Sequence, residues 1–327
     1  MSEVARGALR AMIDGYRAAQ IVAVSAELGL PDLINSGVQT YQELAERTGA
    51  NPGAMRRLLR ALCALGVLDS LPPDGVALNE MSRCLLAEDA RSLNAWARLV
   101  LDQFYPSWGA LKEAVMSGGT GFEKVHGLDA WSHRGRNARS GRLFSAAMAR
   151  GAAELSDALA SCYDFSDVPT LVDVGGGDGT LVRSLLRRYP NMSAIVLDAE
   201  APADVPPVLA GRMSVQHGDF LDRVPPGALC YVLSRVLHDW DDAAAVHILH
   251  NVARAMDANG VVLVVERLMT DAPPLEFVIS DINMMVMNGG RERTDDEFVA
   301  LLDQAGLVLE RRFRIASPLS ILEARRR

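Results

Sequence analysis

The spacing of apolar residues changes character about halfway along the chain. Up to about Ala160 they recur at three- and four-residue intervals, and nearly every segment predicts helix. Residues 8–28 predict one helix, with Leu30-Pro31-Asp32 as the break after it. Thr40 with Glu43 three positions on predicts a capping box, and the next helix holds Arg56, Arg57 and Arg60 before ending at Leu65-Gly66-Val67-Leu68. Pro72-Pro73-Asp74-Gly75 predicts a tight turn between strand-like residues 67–71 and 76–78. Helix, helix and a two-stranded wing make a winged-helix unit. From Thr170 the pattern predicts strands at 170–174, 194–197, 213–216, 229–234, 261–266, 308–313 and 319–323. Helices fall between them, at 180–189, at 242–255 and from Thr294, where Thr294-Asp295-Asp296-Glu297 forms a second capping box. The last two strands, close together around Ser317-Pro318, predict an antiparallel hairpin at the sheet edge. The expected class is α/β, with a helical winged-helix region over 1–155 and a doubly wound sheet over 156–327.

A winged helix suggests DNA, so charge matters next. Between Thr40 and Arg83 five arginines (Arg47, Arg56, Arg57, Arg60, Arg83) face five acids (Glu43, Glu46, Asp69, Asp74, Glu80), a balance poor for displacing phosphate counterions. The whole chain, 327 residues with a formal net charge of -8, also argues against nucleic acid or an anionic membrane as partner. The favoured role for the N-terminal helices is packing against a second copy of the chain. No apolar run approaches the ~18 residues of a membrane span. Residues 1–6 lack the basic-then-apolar layout of a secretory signal. Cys63, Cys84, Cys162 and Cys230, far apart in apolar surroundings and without a C-x-x-C, read as buried free thiols of a cytoplasmic protein.

The chemistry starts at Asp173-Val174-Gly175-Gly176-Gly177-Asp178-Gly179, which follows an apolar strand and opens a helix. Asp198 ends the next strand, 23 positions after Gly175, where a carboxylate accepts both hydroxyls of a ribose. A dinucleotide turn needs G-x-G-x-x-G/A, but Thr180 stands where the third small residue belongs. The D-x-G-x-G-x-G run resembles instead the S-adenosylmethionine turn of class I methyltransferases, with Gly175 and Gly177 at the ligand. That ligand has no pyrophosphate, and its ammonium suits Asp173. Downstream, Asp219 in Gly218-Asp219-Phe220 is either a turn residue or the acceptor of an adenine amine, with Phe220 stacking on the ring. Ser234-Arg235-Val236-Leu237-His238-Asp239-Trp240-Asp241-Asp242 then places a histidine among acids at the ligand edge, where a general base is plausible. His247 and His250, three apart, have no third metal ligand at useful spacing, and no metal is expected.

These segments, with Asn288-Gly289-Gly290-Arg291-Glu292-Arg293-Thr294, occur in an order that resembles the S-adenosylmethionine-dependent O-methyltransferases of the plant caffeate and flavonoid type and their bacterial polyketide and phenazine relatives. The resemblance spans essentially the whole chain. It implies a Rossmann-like sheet behind a dimerising winged-helix domain, and a homodimer. It assigns His238 as base, with Glu266 and Glu292 orienting it. It assigns the cofactor, released as S-adenosylhomocysteine, to Gly175, Asp198, Asp219 and Phe220. It places Phe104, Trp108, Met148, Met284 and Met287 along the pocket of an aromatic hydroxylated acceptor; the alternative for each methionine is core filler. Plant members carry a lysine where this chain has Ser234. Ser234 still hydrogen-bonds a carboxylate, and whether it or Arg235 faces the cofactor stays open at this stage.

A phenol of pKa ~10 facing a histidine near 6.5 leaves a gap of about 3.5 units, roughly 5 kcal/mol, so proton transfer is expected to accompany methyl transfer. Three other readings compete: a ligand-sensing winged-helix regulator, a relative repurposed for hydroxylation or decarboxylation of a polyketide, and a metal-dependent hydrolase built on His238-Asp239.

Overall fold

The computed structural model describes residues 2–89, 91–199, 205–315 and 318–327, and these form two compact units that interleave along the chain. One comprises Met1–Pro106 with Ala138–Arg150, the other Ser107–Asn137 with Gly151–Arg327.

The first unit is built from helices α1 (Glu3–Asp14), α2 (Tyr16–Glu27), α3 (Leu30–Asn35), α4 (Tyr41–Thr48) and α5 (Pro52–Ala64), followed by strands β1 (Leu68–Leu71) and β2 (Gly75–Leu78). The single helix expected over 8–28 is two helices, interrupted at Gly15. Leu30-Pro31-Asp32 does not break the chain; it starts α3, because proline is tolerated in a first helical turn. The break is Gly29, in the left-handed region at φ 66°. The Thr40 capping box forms in full: its hydroxyl accepts from the Glu43 N–H while Glu43 accepts from the Thr40 N–H. β1 and β2 pair antiparallel with Leu71 opposite Gly75, which completes the wing. Leu44, Met55, Leu59, Leu62, Leu68 and Val76 form the buried centre. α1 contributes none of its residues to that core.

The second unit carries a seven-stranded sheet. Its strands are β3 (Thr170–Val174), β4 (Ser193–Asp198), β5 (Met213–His217), β6 (Cys230–Ser234), β7 (Val261–Glu266), β10 (Leu307–Arg314) and β11 (Ser320–Arg326); β8 (Leu268–Met269) and β9 (Arg293–Thr294) pair apart from it. The order is β10-β11-β7-β6-β3-β4-β5, with β11 antiparallel to both neighbours and the rest parallel. Helices 242–255 and 295–304 bury one face. Helix 180–188 and residues 155–160 bury the other. The chain leaves β3 to one side and returns through β6 on the other, so the switch point lies between the carboxyl ends of β3 and β6. The predicted edge hairpin is β10–β11. Of its predicted turn, Ser317 lies outside the described residues.

No helix among the described residues is long and apolar enough to cross a membrane. All four cysteines are free, but only Cys230 is buried; Cys84 is exposed, because it closes a short surface helix rather than entering the core.

Candidate functional site

The turn after β3 is compatible only with glycine at several positions. Gly175, at φ 71°, donates its N–H to the Leu197 carbonyl at 2.8 Å, and a Cβ there would lie 2.9 Å from Val236 and 3.5 Å from Phe220. A Cβ on Gly179 would meet Met213 at 2.7 Å. Gly177 faces open space, and its N–H donates to Asp198 Oδ2 at 3.0 Å. The turn's charge identifies its ligand class. Asp173 is buried at the end of β3, and burial, then Asp198 and Asp178, push its carboxyl up to about 7. With the carboxylates of Asp178 and Asp198 beside it, the turn disfavours a pyrophosphate and suits a sulfonium or an ammonium. The residues present therefore fit S-adenosylmethionine.

Asp219 is exposed, and its Oδ1 accepts the Leu221 N–H at 2.8 Å, so it does form a turn. Phe220 stands edge-on to Trp240, ring centres 5.9 Å apart. The Phe220 and Leu221 carbonyls accept from Asn251, and His247 reaches the Leu221 carbonyl at 2.8 Å. His247 thus belongs to a backbone clamp, while His250 is exposed. Ser234 ends β6, and Arg235 follows at φ 56°, the one non-glycine residue at positive φ among those described. Its Nε is buried without a hydrogen-bond partner.

His238 sits in a single helical turn, Leu237–Asp239, between β6 and helix 242–255. Glu266, fully buried at the end of β7, grips it twice. Oε1 accepts the Leu237 N–H at 2.9 Å and the His238 N–H at 3.3 Å, while Oε2 lies 3.3 Å from the imidazole Nδ1. Glu292 Oε1 lies 3.5 Å from the same nitrogen and accepts from Ser280 Oγ at 2.7 Å and from Arg267 at 3.3 Å. Asp239 Oδ1 lies 3.8 Å from Nε2 and accepts from Asn288. Burial alone would lower the imidazole pKa, but Glu266, Asp239 and Glu292 overcome it and raise it to about 9. For Glu266 burial prevails and its carboxyl is pushed up. For Glu292 burial is outweighed by His238, Ser280 and Arg267, and its carboxyl is held below the usual range.

His238, Glu266 and Glu292 are the only cluster among the described residues with the density of a metal site, their donor atoms within 4.8 Å of one another. Arg267 already supplies countercharge to one of the carboxylates.

Of the acceptor-pocket residues, Trp108, Met284 and Met287 belong to the second unit. Met284 and Met287 are buried, and Trp108 Nε1 donates to Asn283 at 2.9 Å, next to Met284. Phe104 and half-buried Met148 belong to the first unit, where Phe104 meets Trp96 edge-on in a π-helical turn, Val100–Phe104. Sequence reasoning missed Asn288, Gly290 and Arg293, which hold the histidine turn. The glycine pair within Asn288–Arg293 was the available signal. A Cβ on Gly290 would stand 2.0 Å from the His238 carbonyl oxygen, which accepts the Arg291 N–H at 2.9 Å.

Comparison with known proteins agrees with this geometry. Residues 108–308 match the O-methyltransferase domain and residues 11–88 the O-methyltransferase dimerisation domain. The chain is 35% identical over 326 residues to the mitomycin biosynthesis 6-O-methyltransferase of Streptomyces lavendulae, covering 96% of this chain and 93% of that enzyme. The crystal structure of LaPhzM aligns with a TM-score of 0.93 at 33% identity, covering 98% of this chain and 99% of that one. NcsB1 of neocarzinostatin biosynthesis, solved with S-adenosylmethionine and 2-hydroxy-5-methyl naphthoic acid, aligns with a TM-score of 0.85 at 32% identity, covering 95% and 96%. With the likeness running through both the helical region and the sheet, the protein belongs to the S-adenosylmethionine-dependent O-methyltransferases, whose dimerisation domain precedes a class I methyltransferase fold.

Proposed function

We propose that the protein methylates a hydroxyl of an aromatic small molecule of bacterial secondary metabolism, such as a phenazine or a polyketide, with His238 as general base. The observation that carries this reading is the buried imidazole whose Nδ1 lies 3.3 Å from Glu266 and 3.5 Å from Glu292, so that Nε2 is the nitrogen to take an acceptor proton. S-adenosylmethionine supplies an electrophilic methyl group on a cationic sulfur. Asp198 would hold the ribose, Asp219 and Phe220 the adenine, Asp173 with the turn at Gly175 and Gly177 the cationic end, and Ser234 or Arg235 the carboxylate. Within the second unit, Trp108, Met284 and Met287 would line the acceptor pocket.

Glu266 and Glu292 make the base stronger than a free imidazole. Against a phenol of pKa ~10, a base near 9 narrows the gap to about 1 unit, roughly 1.4 kcal/mol, in place of the roughly 5 kcal/mol expected for an ordinary histidine. The same stabilised proton must leave before the base can act. We assign the dimerisation role to the first unit and the cofactor to the second, in a homodimer. Four free cysteines support the cytoplasm as its compartment.

The test is calorimetric titration with S-adenosylmethionine and S-adenosylhomocysteine, then mass spectrometry of a panel of hydroxylated aromatics. Binding with gain of one methyl on a phenolic oxygen is expected, and His238→Ala should lower the rate about 10²–10⁴-fold. A His238→Ala protein of near wild-type rate removes the base. Binding without any methylated product favours the repurposed relative.

A further inference from the structure

Arg293 is fully buried, the largest such side chain among the described residues. Its anionic partner, Asp242, is itself mostly exposed, with Oδ1 2.9 Å from Nε and 2.8 Å from Nη2. Stability alone gives little reason to keep a buried arginine, since an apolar side chain of similar volume usually serves as well. The rest of the guanidinium explains it. Nη1 donates to the Leu237 carbonyl at 2.8 Å and Nη2 to the Trp240 carbonyl at 2.8 Å, the residues on either side of His238-Asp239.

The turn that carries His238 needs such support. It spans three residues, and its closing bond, Trp240 N–H to the Leu237 carbonyl, is long at 3.3 Å. A turn this short does not fix its own orientation. Glu266 holds its N–H groups from the β7 side. On the other side the segment 290–293 holds its carbonyls: Arg291 N–H takes that of His238, and Arg293 takes those of Leu237 and Trp240.

We propose that Arg293 is a positioning residue for His238. Its planar fork spans two carbonyls at once and so keeps the imidazole Nδ1 within reach of Glu266 and Glu292. A lysine carries the same charge on a single point and cannot span both. This rests on the reading of His238 as base.

The variants are Arg293→Lys, Arg293→Gln and Asp242→Asn, with His238→Ala in parallel. The readouts are kcat, acceptor KM, S-adenosylhomocysteine affinity and the pH dependence of kcat. Arg293→Lys should lower kcat by about 10- to 100-fold, because a displacement near 1 Å has an effect of that order. Its cofactor Kd should stay within about threefold, and the rising limb of its pH profile should move to lower pH as Nδ1 drifts from its carboxylates. Arg293→Gln, which still reaches one carbonyl, should show the same pattern. Asp242→Asn, which leaves both carbonyl contacts in place, should stay within about threefold of wild type. The proposal is overturned by an unchanged kcat and pH profile in folded Arg293→Lys or Arg293→Gln. It is equally overturned if Asp242→Asn is as impaired as Arg293→Lys, since the ion pair would then be what matters, or if cofactor affinity falls in step with kcat. A fully active His238→Ala protein would instead remove the reading of His238 on which the role depends.

Discussion

An imidazole raised to about 9 is held as imidazolium at neutral pH, and an imidazolium accepts no proton. Only about 1% of His238 is free base at pH 7 by that value. The sign follows directly: kcat should be lowest in acid and rise about tenfold per pH unit until it levels near pH 9. A profile of kcat from pH 6 to 10 at saturating acceptor measures this, with His238→Ala expected to lack the limb; a flat wild-type profile between pH 6 and 8 would count against the base. The carboxyl of Asp173 is raised too, and there the consequence is for stability. Its carboxyl, raised from 3.8 to about 7, binds its proton more tightly in the folded chain than in the unfolded one. Folding therefore loses stability as pH climbs from about 4 to 7, by up to about 4 kcal/mol at the top of that window. Asp173→Asn should raise Tm at pH 8, leave it little changed at pH 4, and weaken S-adenosylmethionine binding at both the charge and the turn. Thermal unfolding at the two pH values and calorimetry check this; a lower Tm at pH 8 would show that the carboxylate is stabilising after all.

At the scale of elements, the site depends on a two-residue glycine step meeting a one-turn helix. The Gly290 Cα faces the backbone of 238–240 so closely that a methyl group would overlap the His238 carbonyl oxygen, the Asp239 carbonyl carbon and the Trp240 nitrogen. Gly290→Ala should therefore displace the histidine turn and lower kcat about 100-fold while the glycine turn after β3 keeps its cofactor affinity. Equal loss of both, measured by single-turnover rate and calorimetry, would mean wider unfolding. Much of this was legible beforehand. Apolar runs give β3 and β7 to the residue, because each is buried on both faces and the pattern has nothing else to encode, and the other sheet strands to within a few positions. The Thr40 and Thr294 capping boxes were legible because both partners lie within one turn. The histidine's two glutamates were legible through resemblance, not through spacing. What escaped depends on contacts far apart in sequence: Arg293 on the Leu237 and Trp240 carbonyls, Asn288 on Asp239, and the grouping of 107–137 with the sheet. The break at Gly29 was misplaced by reading Pro31 as a stop, where a proline in the first turn opens a helix.

For the whole molecule, α1 poses the remaining physical question. Its twelve residues include none that is buried, yet Leu9, Met12 and Ile13, with Tyr16 beyond, recur at helical spacing and stand exposed. Burying an apolar side chain of that size contributes about 1.5–3 kcal/mol. Four from each of two copies are enough to offset an association cost of roughly 4–15 kcal/mol, whereas one copy alone leaves the stripe in water. The family's dimerisation domain begins at residue 11, inside this stripe. The expected species in light scattering is thus a dimer, with about twice the 35.3 kDa chain mass. Leu9→Asp with Ile13→Asp should shift it toward the single-chain mass. Because Asp173, Asp198 and His238 all lie in the other unit, the same double variant should still bind S-adenosylhomocysteine within about threefold. Each copy carries a formal charge of -8, so the two repel one another. At ~0.1 M salt charges more than about 10 Å apart are largely screened, so the wild-type dimer should tighten as salt rises from low values. A double variant that remains a dimer, or an assembly that weakens as salt is added, would mean that a polar surface other than α1 holds the two copies together.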